Sequence, residues 1–380
     1  MTVEEVARLL SFPAIETIRK KNFSRSNKSR SLKFFIRQSG FKLALLAVII
    51  LFAGCSQVPK FKNVSQGKKE PAQKQTRATK DSAFIPDGYY EPLPDLGAKG
   101  YLVKPLAPDV YFFSTGAYNT MFITTSKGVV VIDPIQGKGH LLKKAIREVT
   151  DQSPKYMIYS HAHMDHIGDA HLFAKDVQII AHIETRKRLE RYKDTHRPIP
   201  QISFGKNYSL NLGGVQIDLI YPGEGHGKGN IMIHLPGKKI LMAVDVATPR
   251  SVPFLNFSTT DIYSQVKGIE QALNLDFDVY VAGHSHRPGV KEEMLEVLQY
   301  YLASKRANKA ALKKISFQDV KARSRTRDPG RLFGEYYQAV AKECVRSLKK
   351  KWKPRLMGFE AFASGHCDVW TGFHRTEVAP

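Results

Sequence analysis

From about residue 101 onward, the chain alternates short apolar runs with segments whose apolar positions recur every three or four residues. Short apolar runs between turn residues are typical of strands, and the wider spacing is typical of helices. The runs predict strands at 110–114, 121–125, 129–133, 156–160, 177–181, 208–212, 215–221, 230–235, 239–244 and 279–282. The wider spacing predicts helices at 138–149, 184–193, 261–273 and 291–304. Strands interleaved with helices indicate an α/β domain.

Other compositions flank this region. Residues 56–80 are rich in Lys, Gln, Ser and Thr, which predicts a flexible tether, and the prolines of 81–100 predict an extended lead-in. Toward the end, a basic helix at 334–351 precedes a segment around Trp370 that we predict to be irregular. This tail either docks on the main domain or caps its site. We divide the chain into a leader (1–55), a linker and lead-in (56–100), a main α/β domain (101–309) and a C-terminal helical extension (310–380).

The leader has the pattern of an export signal. A basic stretch precedes the apolar run Leu43–Gly54, which is shorter than the roughly 20 residues that a membrane-spanning helix needs. The run ends in Phe-Ala-Gly-Cys, which resembles the bacterial lipoprotein box and implies lipidation at Cys55. An uncleaved membrane anchor is the alternative. Both interpretations predict a membrane-anchored protein in the periplasm or at the cell surface.

The basic charge changes this picture little. The formal net charge is +23, but residues 1–80 contain 17 of the 58 Lys and Arg residues and only four of the 35 Asp and Glu residues. Much of the excess therefore belongs to the leader and tether, and we expect no nucleic-acid partner. Of the three cysteines, Cys344 and Cys367 remain after the leader. They either pair in an oxidising compartment or stay as free buried thiols.

Candidate chemistry is concentrated directly after the strand predicted at 156–160. His161, His163, Asp165 and His166 fall within six residues. In an extended backbone, residues i and i+2 face the same way, so the first two imidazoles can reach one ion. A turn after the strand would direct the other two toward a second ion. Such a cluster would leave buried polar groups unpaired unless a cation satisfied them, and imidazole with carboxylate suits zinc, iron or manganese.

With this motif, the chain resembles the metallo-β-lactamase-fold hydrolases. Their hallmark His-x-His-x-Asp-His stands here at 161–166. Their other motifs match Asp133 after a strand, His226 in a Gly-rich turn, Asp245 after an apolar strand and His284 after a late strand. All five motifs occur in the family's order. The resemblance covers about residues 101–305 and implies a four-layer αββα sandwich, here with a C-terminal helical extension.

The resemblance also implies a site that holds two divalent metal ions, most typically zinc, with iron and manganese as alternatives. The corresponding ligands are His161, His163 and His226 for one ion and Asp165, His166 and His284 for the other, with Asp245 between them. Asp133 would orient the histidine loop without binding metal. One departure is Val244, which stands where many relatives have Gly before the bridging Asp.

The function implied is hydrolysis of a small-molecule cyclic amide, ester, lactone or thioester by a hydroxide that the two ions share. Asp165 would handle the proton. Asp245 argues against the β-lactamase subgroup that carries Cys at this position. The alternatives are a phosphodiesterase or nuclease of the same fold, a β-lactamase-like enzyme, and a binding protein without catalysis.

Overall fold

The computed structural model describes residues 88–175 and 177–377, which form two mixed sheets with helices on their outer faces. The predicted leader, tether and lipidated Cys55 lie outside the described residues. Within the described ranges, every helix is too short or too polar to cross a membrane.

The first sheet has seven strands in sequential order. They are β1 (Leu102–Ala107), β2 (Val110–Ser114), β3 (Asn119–Thr125), β4 (Gly128–Ile132), β5 (Pro154–Ile158), β6 (Gln178–His182) and β7 (Ile202–Phe204). Neighbours from β1 to β4 are antiparallel, and those from β4 to β7 are parallel. Its central strands are buried on both faces, which explains why they read as continuous apolar runs.

The second sheet has six strands in the order β13-β12-β11-β10-β9-β8. They are β8 (Asn207–Leu212), β9 (Val215–Ile220), β10 (Met232–Leu235), β11 (Ile240–Met242), β12 (Val279–Val281) and β13 (Gly289–Val290). Only β11 and β12 pair in parallel, because a helical crossover joins them.

Eight α-helices occur in the described ranges. They are α1 (Gly139–Val149), α2 (Met164–Ile167), α3 (Ile183–Tyr192), α4 (Ile262–Leu273), α5 (Lys291–Lys314), α6 (Phe317–Arg323), α7 (Pro329–Trp352) and α8 (Phe359–Thr376). Helix α5 runs ten residues beyond the predicted end, through a stretch rich in the strong helix formers Ala, Leu and Lys.

Three hydrophobic layers confirm the predicted four-layer αββα sandwich. Strand β3 shows how they arise, because Met121 and Ile123 point into the layer between the sheets while Phe122 points into the layer under α1 and α3. A third layer lies between the second sheet and the helices α4, α5, α7 and α8.

The C-terminal tail differs from our prediction in one respect, because the segment predicted to be irregular is the helix α8. Its buried residues Phe359, Ala363, Cys367 and Trp370 follow a helical spacing, which Gly365 between them obscured. Helix α5 also passes through residues 309 and 310, where we place the domain boundary. Both α7 and α8 pack into the third layer, and a disulfide between Cys344 and Cys367 joins them.

Candidate metal centre

The predicted site residues come together at one edge of the two sheets. Asp133 follows β4 and His161 follows β5, and these parallel strands end at the same edge. Asp245 follows β11 and His284 follows β12, which form the parallel pair of the second sheet. His226 precedes β10, which runs antiparallel to β11, so its loop reaches this edge as well.

Two backbone hydrogen bonds join the sheets beside the site. The amide of Ile231 donates to the carbonyl of Ser160 at 2.9 Å, and the amide of Asn119 donates to the carbonyl of Gly283 at 2.9 Å. The loops that bear the histidines are therefore fixed relative to one another by main-chain contacts.

The structure gathers all seven predicted ligands into two groups of potential donor atoms. One group is His161, His163, His226 and Asp245, and the other is Asp165, His166 and His284. In the first, Nε2 of His226 lies 3.0 Å from Nδ1 of His163. In the second, Nε2 of His166 lies 3.1 Å from Nε2 of His284. That these residues bind metal stays a prediction, but their donor atoms are within reach of shared ions.

Asp245 contacts both groups. Its Oδ2 lies 3.2 Å from Nε2 of His226, 3.6 Å from Nε2 of His161 and 3.2 Å from Nε2 of His166. Its Oδ1 lies 3.5 Å from Nε2 of His284. One carboxylate thus stands between two sets of imidazoles, as the sequence predicts for a bridging ligand.

The spacing of these atoms fits tetrahedral coordination. Ligands bound to zinc at its usual bond lengths lie about 3.3 Å from one another. The separations of 3.2 to 3.6 Å around Asp245, and the 3.0 Å between His226 and His163, bracket this value. In addition, Nε2 of His161 is buried and has no hydrogen-bond partner among the described residues. A cation at this position would satisfy it.

The tautomer of His226 is set by the backbone. Its Nδ1 lies 2.6 Å from the carbonyl oxygen of Ser258, and a carbonyl only accepts, so Nδ1 must bear the proton. In a neutral imidazole Nε2 is then the atom with the free lone pair, and it faces Asp245 and His163. A fixed neutral tautomer of this kind is what a metal-ligating histidine requires.

Asp133 orients the loop that carries His161 through a hydrogen bond to its backbone. It is fully buried, adopts a left-handed φ of 39°, and accepts a hydrogen bond from the amide of Ser160 at 2.8 Å. Burial raises the pKa of Asp133 to about 6, although His166 and Ser160 oppose the shift. It thus lies where the sequence predicts, and it fixes the backbone directly before His161.

The electrostatics of the histidines differ sharply. Burial lowers the pKa of His163 to about 4 and that of His161 well below its usual value, so both are neutral. Burial alone would also lower the pKa of His166, but the carboxylates of Asp245, Asp133 and Asp165 outweigh it and raise the pKa to about 9. His166 is therefore protonated in the metal-free protein at neutral pH.

Zinc binding at pH 7.5 is expected to release about one proton from His166, because a ligating imidazole must be deprotonated. Calorimetric titration in PIPES and in HEPES, two buffers that bind zinc weakly, would measure it, since the apparent enthalpy depends on the proton that the buffer takes up. A His166→Asn variant should lack this buffer dependence. Equal enthalpies for the unaltered protein in both buffers would contradict the prediction.

Comparison with known proteins agrees with this geometry. The family model of the metallo-beta-lactamase superfamily matches residues 114–284, a range that contains both donor groups. Residues 114–284 therefore form a domain of the metallo-beta-lactamase superfamily. This confirms the resemblance found in the sequence.

Three individual relatives are similar to this chain at 21% to 29% identity. The chain is 29% identical over 195 residues to a 2,4-dinitroanisole O-demethylase subunit alpha from Nocardioides sp., covering 50% of this chain and 59% of that protein. It is 27% identical over 198 residues to a type 2 metallo-beta-lactamase from Elizabethkingia meningoseptica, covering 48% of this chain and 78% of that protein. A solved metallo-beta-lactamase from Pontibacter korlensis aligns with a TM-score of 0.46 and 21% identity over 52% of this chain and 99% of its own.

Several residues that hold the ligand-bearing loops in place were not predicted from the sequence. Asp245 adopts a left-handed φ of 58°, and its turn is held by Gln265, whose Nε2 donates to the carbonyl of Val246 at 2.9 Å. Gly283 has no room for a side chain, since an added Cβ would lie 2.6 Å from His166 and 2.7 Å from Val244. Val244, the departure from the family pattern, thus fills space beside this glycine.

Two further residues line the His284 side. The ring of Tyr118 meets the ring of His284 edge-on at 4.7 Å and is 36% exposed, so it stands at the mouth of the site. Asn119 is buried, and its Nδ2 donates to the carbonyl and the hydroxyl of Ser285, each at 2.8 Å. Tyr118 and Asn119, at the start of β3, could not be predicted as site residues from the sequence, because their partners lie more than 160 residues away in the chain.

Replacing Asn119 by Ala is expected to weaken binding of the ion near His284 by about ten- to a hundredfold, the usual effect of losing a partner behind the ligands. The loop 283–285 would lose its side-chain clamp but keep its backbone bond to residue 119. Zinc titration against a competing chelator dye would measure the zinc affinities of the variant and of the unaltered protein. Asn211→Ala, on the exposed face of β8, is the matched control and should bind as the unaltered protein does.

Proposed function

We propose that this protein is a binuclear metal-dependent hydrolase that acts on a small-molecule amide, ester, lactone or thioester. The observation that supports this most is the shared position of Asp245 between two groups of imidazoles at 3.2 to 3.6 Å. A structural site for one ion would need four closed ligands and no second group. Zinc is our proposal for the metal.

When bound, the cations would lower the pKa of a water toward neutrality and polarise the scissile carbonyl. Asp165 is the group best suited to take up the proton. Its side chain is 39% exposed, and its Oδ2 lies 3.4 Å from both His166 and His284. Burial opposes ionisation, but the hydrogen bond from His284 and the charge of His166 hold the pKa of Asp165 below its usual value. It is thus an ionised acceptor at neutral pH.

Tyr118 supports a small substrate with an apolar portion. Burial and the carboxylates of Asp165 and Asp245 raise the pKa of its phenol, so the hydroxyl remains a donor. An aromatic face beside His284 provides a surface against which a ring or an acyl chain can pack. We propose that Tyr118 contacts the substrate.

A second candidate is hydrolysis of an aryl ether. The observation that favours it is the match to the demethylase subunit, whose name gives 2,4-dinitroanisole as its substrate. This chain covers only 59% of that protein, so the match alone does not carry its activity over, and we propose it separately. The ring of a phenolate leaving group would pack against the ring of Tyr118.

A substrate panel tests both proposals. The full-length protein, with its metal content measured, would be offered a chromogenic β-lactam, lactones, a glutathione thioester, bis-nitrophenyl phosphate and 2,4-dinitroanisole. We expect turnover of a carbonyl substrate that stops after chelation and returns with zinc. Release of dinitrophenol alone would favour the aryl ether activity. Turnover that persists without metal, or none at full occupancy, would contradict the hydrolase proposal.

We also propose that the enzyme acts outside the cytoplasmic membrane, tethered through Cys55. The pairing of Cys344 with Cys367 supports this location, because disulfides persist in oxidising compartments and are rare in the cytosol. Membrane attachment and a small-molecule partner remain our proposals.

A further inference from the structure

One loop lies between helix α8 and the candidate metal centre and contacts both. Residues 250–258 lie between Asp245 and α4, and this loop ends at Ser258, whose carbonyl accepts the hydrogen bond from Nδ1 of His226. The position of one backbone oxygen in this loop therefore fixes the tautomer and the orientation of a predicted ligand.

The loop adopts a backbone that it does not favour by itself. Leu255, Phe257 and Ser258 have φ values of 44°, 65° and 44°, in the left-handed region that side chains with a Cβ rarely adopt. Three such positions within four residues persist only where surrounding structure determines them. Something outside the loop must hold it.

Helix α8 provides this support through His366. Its Nε2 donates to the carbonyl of Pro253 at 2.9 Å, and its Nδ1 accepts from the hydroxyl of Tyr300 at 2.7 Å. Its ring also stacks on the ring of Phe257 at 4.1 Å with an interplanar angle of 21°. His366 is fully buried, and burial lowers its pKa to about 3, so this pattern of donor and acceptor persists at neutral pH.

Other contacts join α8 and the segment directly before it to the same loop. The amide of Val252 donates to the carbonyl of Met357 at 2.9 Å, and the amide of Met357 donates to the carbonyl of Arg250 at 2.8 Å. Gly365 allows the helix to approach so closely that an added Cβ would overlap Oδ1 of Asn256. The residue after His366 is Cys367, whose disulfide to Cys344 ties α8 to α7.

We propose that His366 is a positioning residue for the metal centre, acting through Pro253 and Phe257 on the Ser258 carbonyl that orients His226. The helical extension is then a brace for one ligand rather than a separate module. This inference rests on the proposed metal site. It assigns a role to a buried histidine far along the chain from every predicted ligand.

The test compares His366→Phe with His374→Phe in the full-length protein. Phe at 366 keeps a ring against Phe257 but loses both hydrogen bonds. His374 lies two turns further along α8 and bonds Asn308, away from the loop. We expect His366→Phe to weaken one of two zinc affinities about tenfold and to change the visible spectrum of the cobalt-substituted protein, with His374→Phe leaving both unchanged.

A second pair of variants applies where His366→Phe folds poorly. Gly365→Ala should displace Asn256 and lower the same affinity, and adding Asn256→Ala removes the overlapping atom and should restore it. Unchanged zinc affinity and cobalt spectrum in both His366→Phe and Gly365→Ala would overturn the inference alone. No zinc binding by the unaltered protein would overturn the proposed function, and with it this inference.

Discussion

Replacing Asp245 by Asn is expected to lower turnover by about a thousandfold, because bound cations contribute several kcal/mol of transition-state stabilisation and about 1.4 kcal/mol is a factor of ten. The carboxylate stands within 3.6 Å of donor atoms from both groups, so its loss should weaken both ions rather than one. An amide has the same shape, but it lacks the negative charge that raises the pKa of His166 and that would hold the proposed cations.

Measuring the zinc content of the variant tests this prediction without a known substrate. After dialysis against a weak chelator, Asp245→Asn should retain well under half of the zinc of the unaltered protein, measured by mass spectrometry. The matched control is Asp276→Asn, since Asp276 is exposed at the other end of β11. Full zinc content and unchanged turnover in Asp245→Asn would mean that this carboxylate bridges nothing. A melting temperature near that of the control excludes misfolding as the cause.

The second large effect concerns stability. Replacing both Cys344 and Cys367 by Ala is expected to lower the free energy of unfolding by roughly 3 kcal/mol, the chain-entropy cost for a loop of this length. The two cysteines lie 23 residues apart and are fully buried between α7 and α8. Alanine avoids placing an unpaired hydroxyl in the core. The melting temperature should fall by about 5 °C.

Reduction provides the control for this variant. Treating the unaltered protein with a phosphine reductant should reproduce the loss measured by urea unfolding, and the same treatment should leave the double variant unchanged. A reductant effect of equal size in both proteins would contradict the assignment to this disulfide. Because α8 also holds the loop 250–258, we expect the double variant to bind zinc somewhat more weakly than the unaltered protein.

Much of the fold could be predicted because its strands are buried on both faces and therefore appear as apolar runs. The deviations have local causes. The strand predicted at 239–244 ends at Met242, because the chain leaves the sheet after the bond from the amide of Ala243 to Val281 and enters the left-handed turn at Asp245. The strand predicted at 230–235 begins at Met232, since Asn230 and Ile231 make their hydrogen bonds outside the second sheet.

The sequence by itself determined the donor atoms of this site. Imidazoles and carboxylates are distinctive residues, and their placement after predicted strands indicated both the fold family and the ligands. What only the tertiary structure decided was what holds those ligands still: the carbonyl of Ser258, the amide of Asn119 and the helix that carries His366. Every residue has a carbonyl, and the partners are far apart in the chain. Such contacts exist only once packing has brought the segments together, so no local pattern records them.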